Sequence, residues 1–211
     1  MYVGRIVSVG RTKDNKLTVM YRVSSRSFPN REIAQLENSL AVIPKKGHHE
    51  DIYTSPYISY NCFRSNSQYA VVGNGTQADP VFEKLESGMN MRDAIANVLL
   101  AMDYEHDDYS TPRIVAVADQ KYQKGALGSI RADGIDVQVF DLSLGEYRFV
   151  STYEKCVVSP ENQAFNLDIT DEKQAAQFVI NGGVFAEFTN PVSSVAAVES
   201  DDGYKTAIVN M

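Results

Sequence analysis

The chain has 211 residues, of which 44% are hydrophobic and 22% are charged. This composition is that of a globular domain with a sizeable core, and it excludes a disordered chain. Two cysteines are too few for a disulfide framework. No apolar stretch approaches the roughly 20 residues that cross a bilayer, and the first residues lack the apolar block of a secretion signal. We therefore expect a cytoplasmic protein without a membrane partner.

Charge becomes informative when it is divided along the sequence. The net charge is −7, which disfavours nucleic acid as a partner. Residues 1–50 nevertheless carry a net charge of +5, whereas residues 161–202 carry −7. A locally basic region on an acidic protein favours a small anionic ligand, although charge alone leaves open that these groups are scattered over the surface.

Ten short segments rich in Val, Ile, Tyr or Phe are bounded by turn residues and are predicted to be strands. Asp133-Gly134 separates two of them and predicts a hairpin. The predicted strands are Tyr2–Val9, Leu17–Val23, Leu40–Ile43, Gln68–Val72, Arg113–Ala118, Ala126–Arg131, Ile135–Phe140, Tyr147–Thr152, Ser194–Val198 and Lys205–Val209.

Two regions have helical periodicity. The first begins at Asp79-Pro80 and continues to about Met102, with Gly88 splitting it and Asn90 or Asp93 capping the second half. The second runs from Thr170, the predicted cap, to about Ile180, and Gly182-Gly183 ends it.

These elements predict an α+β protein with two sheets packed face to face and helices on their outer faces. There is no internal repeat, low-complexity tract or linker. We therefore expect one domain over residues 1–211.

Several motifs of common enzymes are absent. There is no phosphate-binding loop of the Gly-x-x-x-x-Gly-Lys-Ser/Thr type and no Gly-x-Ser-x-Gly elbow. His106 belongs to an acidic run that has no second cluster to complete a metal site, so a solvated loop is favoured. Cys62 has no neighbouring histidine in the sequence and is interpreted as a small buried hydrophobe.

The densest polar segment is Tyr21–Arg31. In an extended chain Arg22, Ser24 and Arg26 project from one face, and the turn at Pro29-Asn30 presents Arg31 separately. Arginine forks beside hydroxyls suit a phosphate or a carboxamide oxygen. The alternative is a polar edge strand with solvated arginines.

Three further positions are candidates for binding or catalysis. Tyr60-Asn61 places a phenol beside an amide that can orient an amide substrate, or else it is an ordinary strand with a core tyrosine. Asn74-Gly75 lies between a strand and a helix, where backbone amides hold an anion or the glycine simply allows a turn. Glu105 follows a helix whose dipole its charge opposes, which makes it a candidate general base.

Taken together, these segments resemble the archaeal-type IMP cyclohydrolases. The resemblance covers nearly the whole chain, in collinear order and at matching spacing. It rests on Met1–Arg5, Tyr21–Arg31, Pro56–Cys62, Asn74-Gly75, Asp103–Tyr109 and Thr111–Arg113.

The resemblance implies an enzyme of the cyclic-amidine hydrolase class that closes the last ring of purine biosynthesis. It converts 5-formamidoimidazole-4-carboxamide ribonucleotide (FAICAR) to IMP with loss of water. The implied fold is the four-layer α/β/β/α sandwich of the N-terminal-nucleophile hydrolases. Met1-Tyr2 offers no small nucleophile, which counts against an amidase but not against a ring closure that needs none.

The resemblance and the local chemistry together assign roles. Tyr60 donates to the formyl oxygen, Arg31 stabilises its developing charge, and Glu105 accepts the carboxamide proton. Arg22, Ser24 and Arg26 contact the phosphate or base edge, Asn61 and Asn74 hold the carboxamide, and Gly75 is a further substrate contact.

We expect no metal, no other cofactor and a homo-oligomer. The rival functions are a nucleotide-binding protein without catalysis, an amidohydrolase of the same fold, and a structural interaction protein. The first rival does not need Tyr60 and Glu105 in one pocket, so their placement distinguishes it from the enzyme.

Overall fold

Thirteen strands form two antiparallel sheets in a computed structural model that describes residues 1–211. The six-stranded sheet has the order β11-β10-β1-β2-β12-β13, and the seven-stranded sheet runs consecutively from β3 to β9. The strands are β1 (Ile6–Arg11), β2 (Leu17–Ser24), β3 (Arg31–Gln35), β4 (Leu40–Pro44), β5 (Tyr60–Ser65), β6 (Tyr69–Gly73), β7 (Arg113–Asp119), β8 (Lys124–Arg131), β9 (Gly134–Phe140), β10 (Tyr147–Ser151), β11 (Gln163–Ala164), β12 (Pro191–Ser200) and β13 (Gly203–Asn210).

Helices cover the outer face of each sheet. Helices α2 and α3 pack on the seven-stranded sheet, and α4 packs on the six-stranded sheet. The order of layers is therefore α/β/β/α, as predicted. The helices are α1 (Asp51–Thr54), α2 (Ala78–Glu86), α3 (Met91–Met102) and α4 (Glu172–Asn181), with 3-10 turns at Pro56–Ile58, Pro160–Asn162 and Gly183–Glu187.

Apolar side chains fill the three spaces between the four layers. The largest cluster has 25 buried residues and lies between the sheets, and each helix-to-sheet space holds a cluster of 14. Strand β2 contributes to two of them because successive side chains point to opposite faces. Tyr21 and Val23 face the other sheet, whereas Met20 faces α4.

The two helical regions are confirmed, but both predicted starts are wrong in detail. Asp79, the expected cap at the start of the first region, lies within α2, which follows Gln77. The first region is split as expected, and the Asn90 side chain caps α3 by accepting from the Asp93 amide at 3.0 Å. Helix α4 is capped by Asp171, not Thr170, because the Asp171 carboxylate accepts from the Gln174 amide at 2.8 Å. None of the helices has the length and apolar character needed to cross a membrane.

The ten predicted strands are present, but the first starts four residues later than expected. Gly4 has a φ of +74°, and a Cβ there would lie 2.1 Å from Thr152 Oγ1. The chain therefore turns at Gly4 and enters the sheet only at Ile6. The predicted Asp133-Gly134 hairpin is confirmed, since β8 and β9 pair up to Arg131 and Gly134.

Three strands were not predicted. They are β3, β5 and the two-residue β11. Strands β3 and β5 begin with Arg31 and Tyr60 and mix charged, amide and apolar residues. This mixture obscures the alternation by which a half-buried strand is recognised.

Candidate active site

Two tyrosine hydroxyls meet between the sheets. Tyr21 lies on β2 of one sheet and Tyr60 begins β5 of the other, and their Oη atoms are 2.5 Å apart. Both residues are buried, and burial raises the pKa of each phenol. The positive charges of Arg31 and Arg5 oppose this rise at Tyr60. The pair is thus protonated at neutral pH and lies beside groups that favour a phenolate.

A buried ion pair lies next to these tyrosines. Arg5, just before β1, donates from Nη2 to Glu105 Oε2 at 3.0 Å. Burial is the largest single effect on Arg5 and opposes its charge, but the Glu105 carboxylate together with Tyr60, Tyr21 and Tyr153 outweighs burial and raises the pKa of the guanidinium. Burial also raises the pKa of Glu105, an effect that Arg5 and Arg113 oppose. Glu105 is therefore a carboxylate with enhanced affinity for a proton.

The backbone after α3 fixes the position of Glu105. Its amide donates to the Thr111 carbonyl at 2.8 Å, and Asp107 holds the same loop by accepting from the Thr111 amide and hydroxyl. The interpretation of this acidic run as a solvated loop therefore holds for His106, which is 63% exposed, and fails for Glu105, which is 1% exposed.

One oxygen of Glu105 has no hydrogen-bond partner. Oε1 is buried and lies 3.8 Å from Arg113 Nη1, which is beyond hydrogen-bond distance, and the buried Nε of Arg5 is also unpartnered. A buried polar atom left unpaired costs about 1–3 kcal/mol. Such atoms indicate a place where another molecule completes the network.

Arg31 supplies a second cation at the start of β3. Its side chain is buried, and its Nε donates to the Phe28 carbonyl at 3.1 Å. Its two terminal nitrogens make no hydrogen bond within the protein. Burial lowers the pKa of Arg31, and the neighbouring Tyr60 phenol partly offsets that effect. The structure thus brings together Arg31, Tyr60 and Glu105, and these residues with Arg5 and Tyr21 form what we call the central cluster.

A cavity of about 80 Å³ opens onto the central cluster. Arg5, Arg31 and Glu105 line it, while Tyr60 lies beside both arginines without lining it. A wider cavity of about 470 Å³ adjoins it and carries Arg26. The two cavities share Tyr2, Ser27, Tyr109 and Tyr153. A larger cavity of about 650 Å³ lies near the α2–α3 turn and contains none of the central cluster.

The structure places Arg22 and Ser24 outside the central cluster. Arg22 is fully buried and donates to the carbonyls of Ile180, Phe185, Phe188 and Thr189, and its Nε donates to the Ser24 hydroxyl. These two side chains do share a face as expected, but it is the face towards α4. Every donor group of Arg22 is occupied, which leaves none for a phosphate. Burial without a counterion lowers the pKa of Arg22 to about 10.

Arg26 has the opposite surroundings. Its side chain is exposed at the wider cavity, and its guanidinium lies 4.1 Å from the centre of the Tyr2 ring. The ring orients the cation without consuming its donors. Of the three positions grouped as a phosphate or base contact, Arg26 is the one left open to a ligand.

Asn61 and Asn74 are both engaged within the protein. The Asn61 amide donates to the Asp79 carboxylate at 2.9 Å, on the side of the sheet that faces α2. The Asn74 side chain donates to the Pro112 carbonyl and accepts from the Ile114 amide. Asn74 therefore holds the β6–α2 turn against the start of β7, and neither side chain lies free beside the central cluster.

Gly75 lies where the central cluster meets Arg113. A Cβ at this position would be 2.7 Å from Gln77 Oε1, 2.9 Å from Arg113 Nη1 and 3.2 Å from Glu105 Oε1. A side chain at this position would therefore displace the ends of Gln77 and Arg113, whereas the backbone angle itself does not demand glycine. The position of Gly75 beside the unpartnered oxygen agrees with its selection from the sequence.

The surroundings of Cys62 do not suit a nucleophile, and the side chains do not form a metal site. Cys62 is fully buried, its Sγ lies 3.3 Å from the Leu40 carbonyl, and burial raises the pKa of the thiol. The prediction of a buried hydrophobe is confirmed. No group of three or more His, Cys, Asp or Glu side chains is close enough together to hold a metal ion.

Sequence reasoning did not select three residues that lie in or beside the central cluster. Arg5, Tyr21 and Arg113 all lie within segments that carry the family resemblance, but none was selected as a site residue, and Arg113 was interpreted as the start of a strand. The alternation of β2 offered a signal for Tyr21, because Val19, Tyr21 and Val23 share the face opposite to Arg22. The signal for Arg5 depends on a contact 100 residues away in sequence, which no local pattern encodes.

Comparison with known proteins gives a consistent set of matches. Residues 2–203 match the model of a family described as IMP cyclohydrolase-like protein. An IMP cyclohydrolase of Methanosphaera stadtmanae is 45% identical over 204 residues, which are 96% of each chain. An IMP cyclohydrolase of Methanocaldococcus jannaschii is 40% identical over 98% of each chain. Among solved structures, a Caenorhabditis elegans ortholog of N-acylethanolamine-hydrolyzing acid amidase aligns over 97% of this chain and 99% of its own, with a TM-score of 0.46 and 11% identity.

Proposed function

The chain belongs to the IMP cyclohydrolase-like family, and from this membership we infer that it closes the ring of FAICAR to give IMP and water. The single observation that carries the placement of this reaction is the unpartnered, buried Oε1 of Glu105 beside Arg5 and Arg31. The substrate is a small purine ribonucleotide. It enters through the wider cavity and reacts at the central cluster.

The reaction sets four requirements for the site. The carboxamide nitrogen attacks the formyl carbon of the same molecule, so the enzyme must hold the rotamer in which these atoms meet. An amide nitrogen is a weak nucleophile and needs a base. The formyl oxygen gains negative charge, needs a hydrogen-bond donor, and finally leaves as water.

Glu105 suits the role of the base. Its side chain is oriented by a loop and by Arg5, burial raises its pKa and so enhances its proton affinity, and the charges of Arg5 and Arg113 favour the carboxylate. A general base tuned towards the working pH transfers protons most effectively. Glu105 accepts one hydrogen of the carboxamide as the new C–N bond forms.

Tyr60 and Arg31 suit the formyl oxygen. Tyr60 gives its proton to this oxygen, and the Arg31 guanidinium stabilises both the oxyanion and the phenolate. Because Tyr60 does not line the cavity, this step requires neighbouring side chains to move as the substrate enters.

Loss of water restores both groups. The protonated Glu105 returns its proton to the hydroxyl that leaves as water. The formamido nitrogen loses its hydrogen to the Tyr60 phenolate as the C=N bond forms. The water thus takes one hydrogen that Glu105 received from the carboxamide and one from Tyr60, and the formamido hydrogen replaces the latter, so the enzyme ends unchanged. No step generates hydroxide or moves electrons to a carrier, so the proposal includes no metal or cofactor.

The phosphate belongs in the wider cavity. Arg26 is exposed there and retains its donors, whereas those of Arg22 are used within the fold. The proposal therefore keeps Arg26 and Gly75 as substrate contacts and omits Arg22, Ser24 and Asn61. Asn74 acts by positioning the turn that carries Gly75.

We further propose that the protein is a cytoplasmic homo-oligomer and that it does not bind nucleic acid. The acidic net charge supports the absence of nucleic acid. Exposed Ile135 and Val139 on β9, an outer strand of its sheet, support self-association because an unpaired apolar strand edge is a place where chains associate. Sedimentation of the purified protein tests it, with a monomer at all concentrations as the contrary result.

An absorbance assay of the purified protein with FAICAR tests the activity. We expect conversion to IMP well above the spontaneous rate, identified by mass and by the spectrum of the product. The matched control is the carboxamide ribonucleotide that lacks the formyl group, which has no carbon for the nitrogen to attack. Binding of FAICAR without formation of IMP would instead indicate a nucleotide-binding protein.

A further inference from the structure

The Tyr21 hydroxyl has no role in the reaction as described so far. It lies within the space between the sheets, and the ring is fully buried. Its Oη makes one hydrogen bond, to Tyr60 Oη at 2.5 Å. A hydroxyl in an apolar core is costly unless it is paired. Phenylalanine would fill nearly the same volume without this cost, so we expect the Tyr21 hydroxyl to have a function.

The direction of that hydrogen bond decides whether Tyr60 can act as an acid. Each phenol has one hydrogen and can also accept. If Tyr60 donated to Tyr21, its hydrogen would point away from the substrate. If Tyr21 donates to Tyr60, the Tyr60 hydrogen is free to point elsewhere. Tyr21 has no other acceptor within reach, so the second arrangement satisfies both groups once a carbonyl oxygen reaches Tyr60.

We propose that Tyr21 is a positioning residue for ring closure: its hydroxyl donates to Tyr60 Oη, directs the Tyr60 hydrogen towards the formyl oxygen, and stabilises the phenolate after that hydrogen has moved. This inference rests on the proposed function of the central cluster. Tyr21 keeps its own proton throughout. The only proton transferred by this pair is that of Tyr60, which goes to the formyl oxygen and is replaced from the formamido nitrogen.

The surroundings of the pair support this direction. Burial alone makes a Tyr60 phenolate unfavourable, and the charges of Arg31 and Arg5, followed by the hydrogen bond from Tyr21, lower the pKa of the Tyr60 phenol against that effect. A charged oxygen also accepts a stronger hydrogen bond than a neutral one. The contribution of Tyr21 therefore increases as the proton leaves Tyr60, which favours the transition state over the bound substrate.

The test is a double-mutant cycle with Tyr21→Phe, Tyr60→Phe and the double variant, assayed for kcat and KM. A hydrogen bond to a charged group contributes a factor of about 10 to 100. We expect Tyr21→Phe to lower kcat by about this factor with KM near the wild-type value. In the Tyr60→Phe background, Tyr21→Phe is expected to have no further effect on kcat.

Tyr147→Phe is the matched control. Tyr147 is also buried, and its hydroxyl accepts from the Val184 amide in the core under α4, far from the central cluster in the fold. The Tyr147→Phe variant loses one hydroxyl that does not contact the central cluster, so its kcat is expected to remain at the wild-type value. Comparison of the two variants separates a general loss of stability from a loss of catalysis.

Three results would overturn the proposal. The first is a Tyr21→Phe enzyme with wild-type kcat, the second is a change confined to KM, and the third is a further loss of kcat in the double variant. The double variant also covers the case in which Tyr21→Phe alone does not fold, because replacing both partners by apolar groups leaves no unpaired hydroxyl. If Tyr60→Phe itself retains full activity, the proposed chemistry fails instead, and this outcome is distinct from the three above.

Discussion

The Glu105 side chain is 1% exposed, and one of its oxygens has no hydrogen-bond partner. This arrangement lowers the stability of the fold. Arg5 balances the charge of Glu105 through one oxygen, and the residue with its other, unpartnered oxygen lines the cavity. Burial raises the pKa of the carboxyl. The rate of ring closure should therefore fall as the pH decreases through this raised pKa, since protonation removes the base.

Glu105→Gln tests this role. The amide keeps the size of the side chain but accepts no proton at neutral pH, so kcat should fall by about 10²–10⁴, and the acidic limb of the pH–rate profile should disappear. Glu146→Gln is the control, because Glu146 is equally buried but binds Arg148 and the Ser143 amide elsewhere. An acidic limb that persists in Glu105→Gln would assign the base to another residue.

We propose for Arg26 a role in binding rather than in chemistry. It lies at the wider cavity with free donors, so we expect it to contact the phosphate equally before and during the reaction. Arg26→Ala should raise KM by about tenfold and leave kcat nearly unchanged. The dephosphorylated substrate should bind the wild type and the variant alike, and exposed Arg92→Ala serves as the control. If Arg26→Ala still strongly prefers the phosphorylated substrate, a different residue binds the phosphate.

Single residues also show where sequence reasoning reached its limit. Tyr60, Arg31 and Glu105 were selected because their chemistry suits the implied reaction, and the fold brings them together. Arg22 looked like an equally good phosphate ligand, since an arginine beside a serine has the same local pattern whether it faces a ligand or four backbone carbonyls. Only the packing of α4 and the chain after it distinguishes the two.

At the scale of elements, the connection between α4 and β12 depends on Arg22. Its guanidinium gathers carbonyls from the end of α4, the 3-10 turn and the segment beyond it. Arg22→Met would leave these acceptors buried without a donor, and we expect a loss of roughly 3 kcal/mol or more in unfolding free energy. KM of the folded variant should stay unchanged.

Denaturant unfolding and steady-state kinetics together check this expectation. Arg64→Met is the control, since Arg64 is more exposed and its ion pair with Asp79 lies at the surface of α2. A variant of Arg22 with wild-type stability and a raised KM would restore Arg22 as a substrate contact.

The β6–α2 turn brings Gly75 against the central cluster. Gly75→Ala should disturb Glu105 and Arg113 without straining the backbone, because the added Cβ would lie 3.2 Å or less from three polar side-chain atoms. We expect kcat/KM to fall by about tenfold or more, in keeping with small displacements of catalytic groups. Gly134→Ala is the control, where the Cβ meets only the flexible end of Arg131. Full activity in Gly75→Ala would separate this turn from the site.

Two of the three strands that sequence patterns missed, β3 and β5, begin with residues of the central cluster. Strands with a regular apolar pattern, either the alternation of β2 or the continuous run of β7, were found within one residue of their bounds. Strands β3 and β5 were missed because Arg31, Tyr60 and their polar neighbours interrupt that alternation. Functional residues are expected to break local rules in this way, because their side chains serve the ligand and not the core.

At the scale of the whole molecule, the two sheets act as opposing supports. The six-stranded sheet supplies Tyr21 on β2, and Arg5 lies just before β1 of the same sheet. The seven-stranded sheet supplies Arg31 and Tyr60. The basic charge of residues 1–50 is not a uniform surface. Arg5 and Arg31 line the smaller cavity and Arg26 lies at the wider cavity beside it, whereas Arg11 and Arg22 are buried in the fold. The inference of a small anionic ligand therefore depends on three of these residues.

The central claim is that the buried central cluster supplies the proton for ring closure, and the kinetics of Tyr60→Phe test it most directly. The ring remains and one hydroxyl is lost, so packing changes little, and Tyr147→Phe provides the same change outside the site. We predict that kcat of Tyr60→Phe falls by a factor on the order of 10²–10³, the effect of removing one oxyanion donor, while KM stays near its wild-type value. Retention of more than about half of the turnover would contradict the account, because a donor that contributes a few kcal/mol cannot be lost at so small a cost.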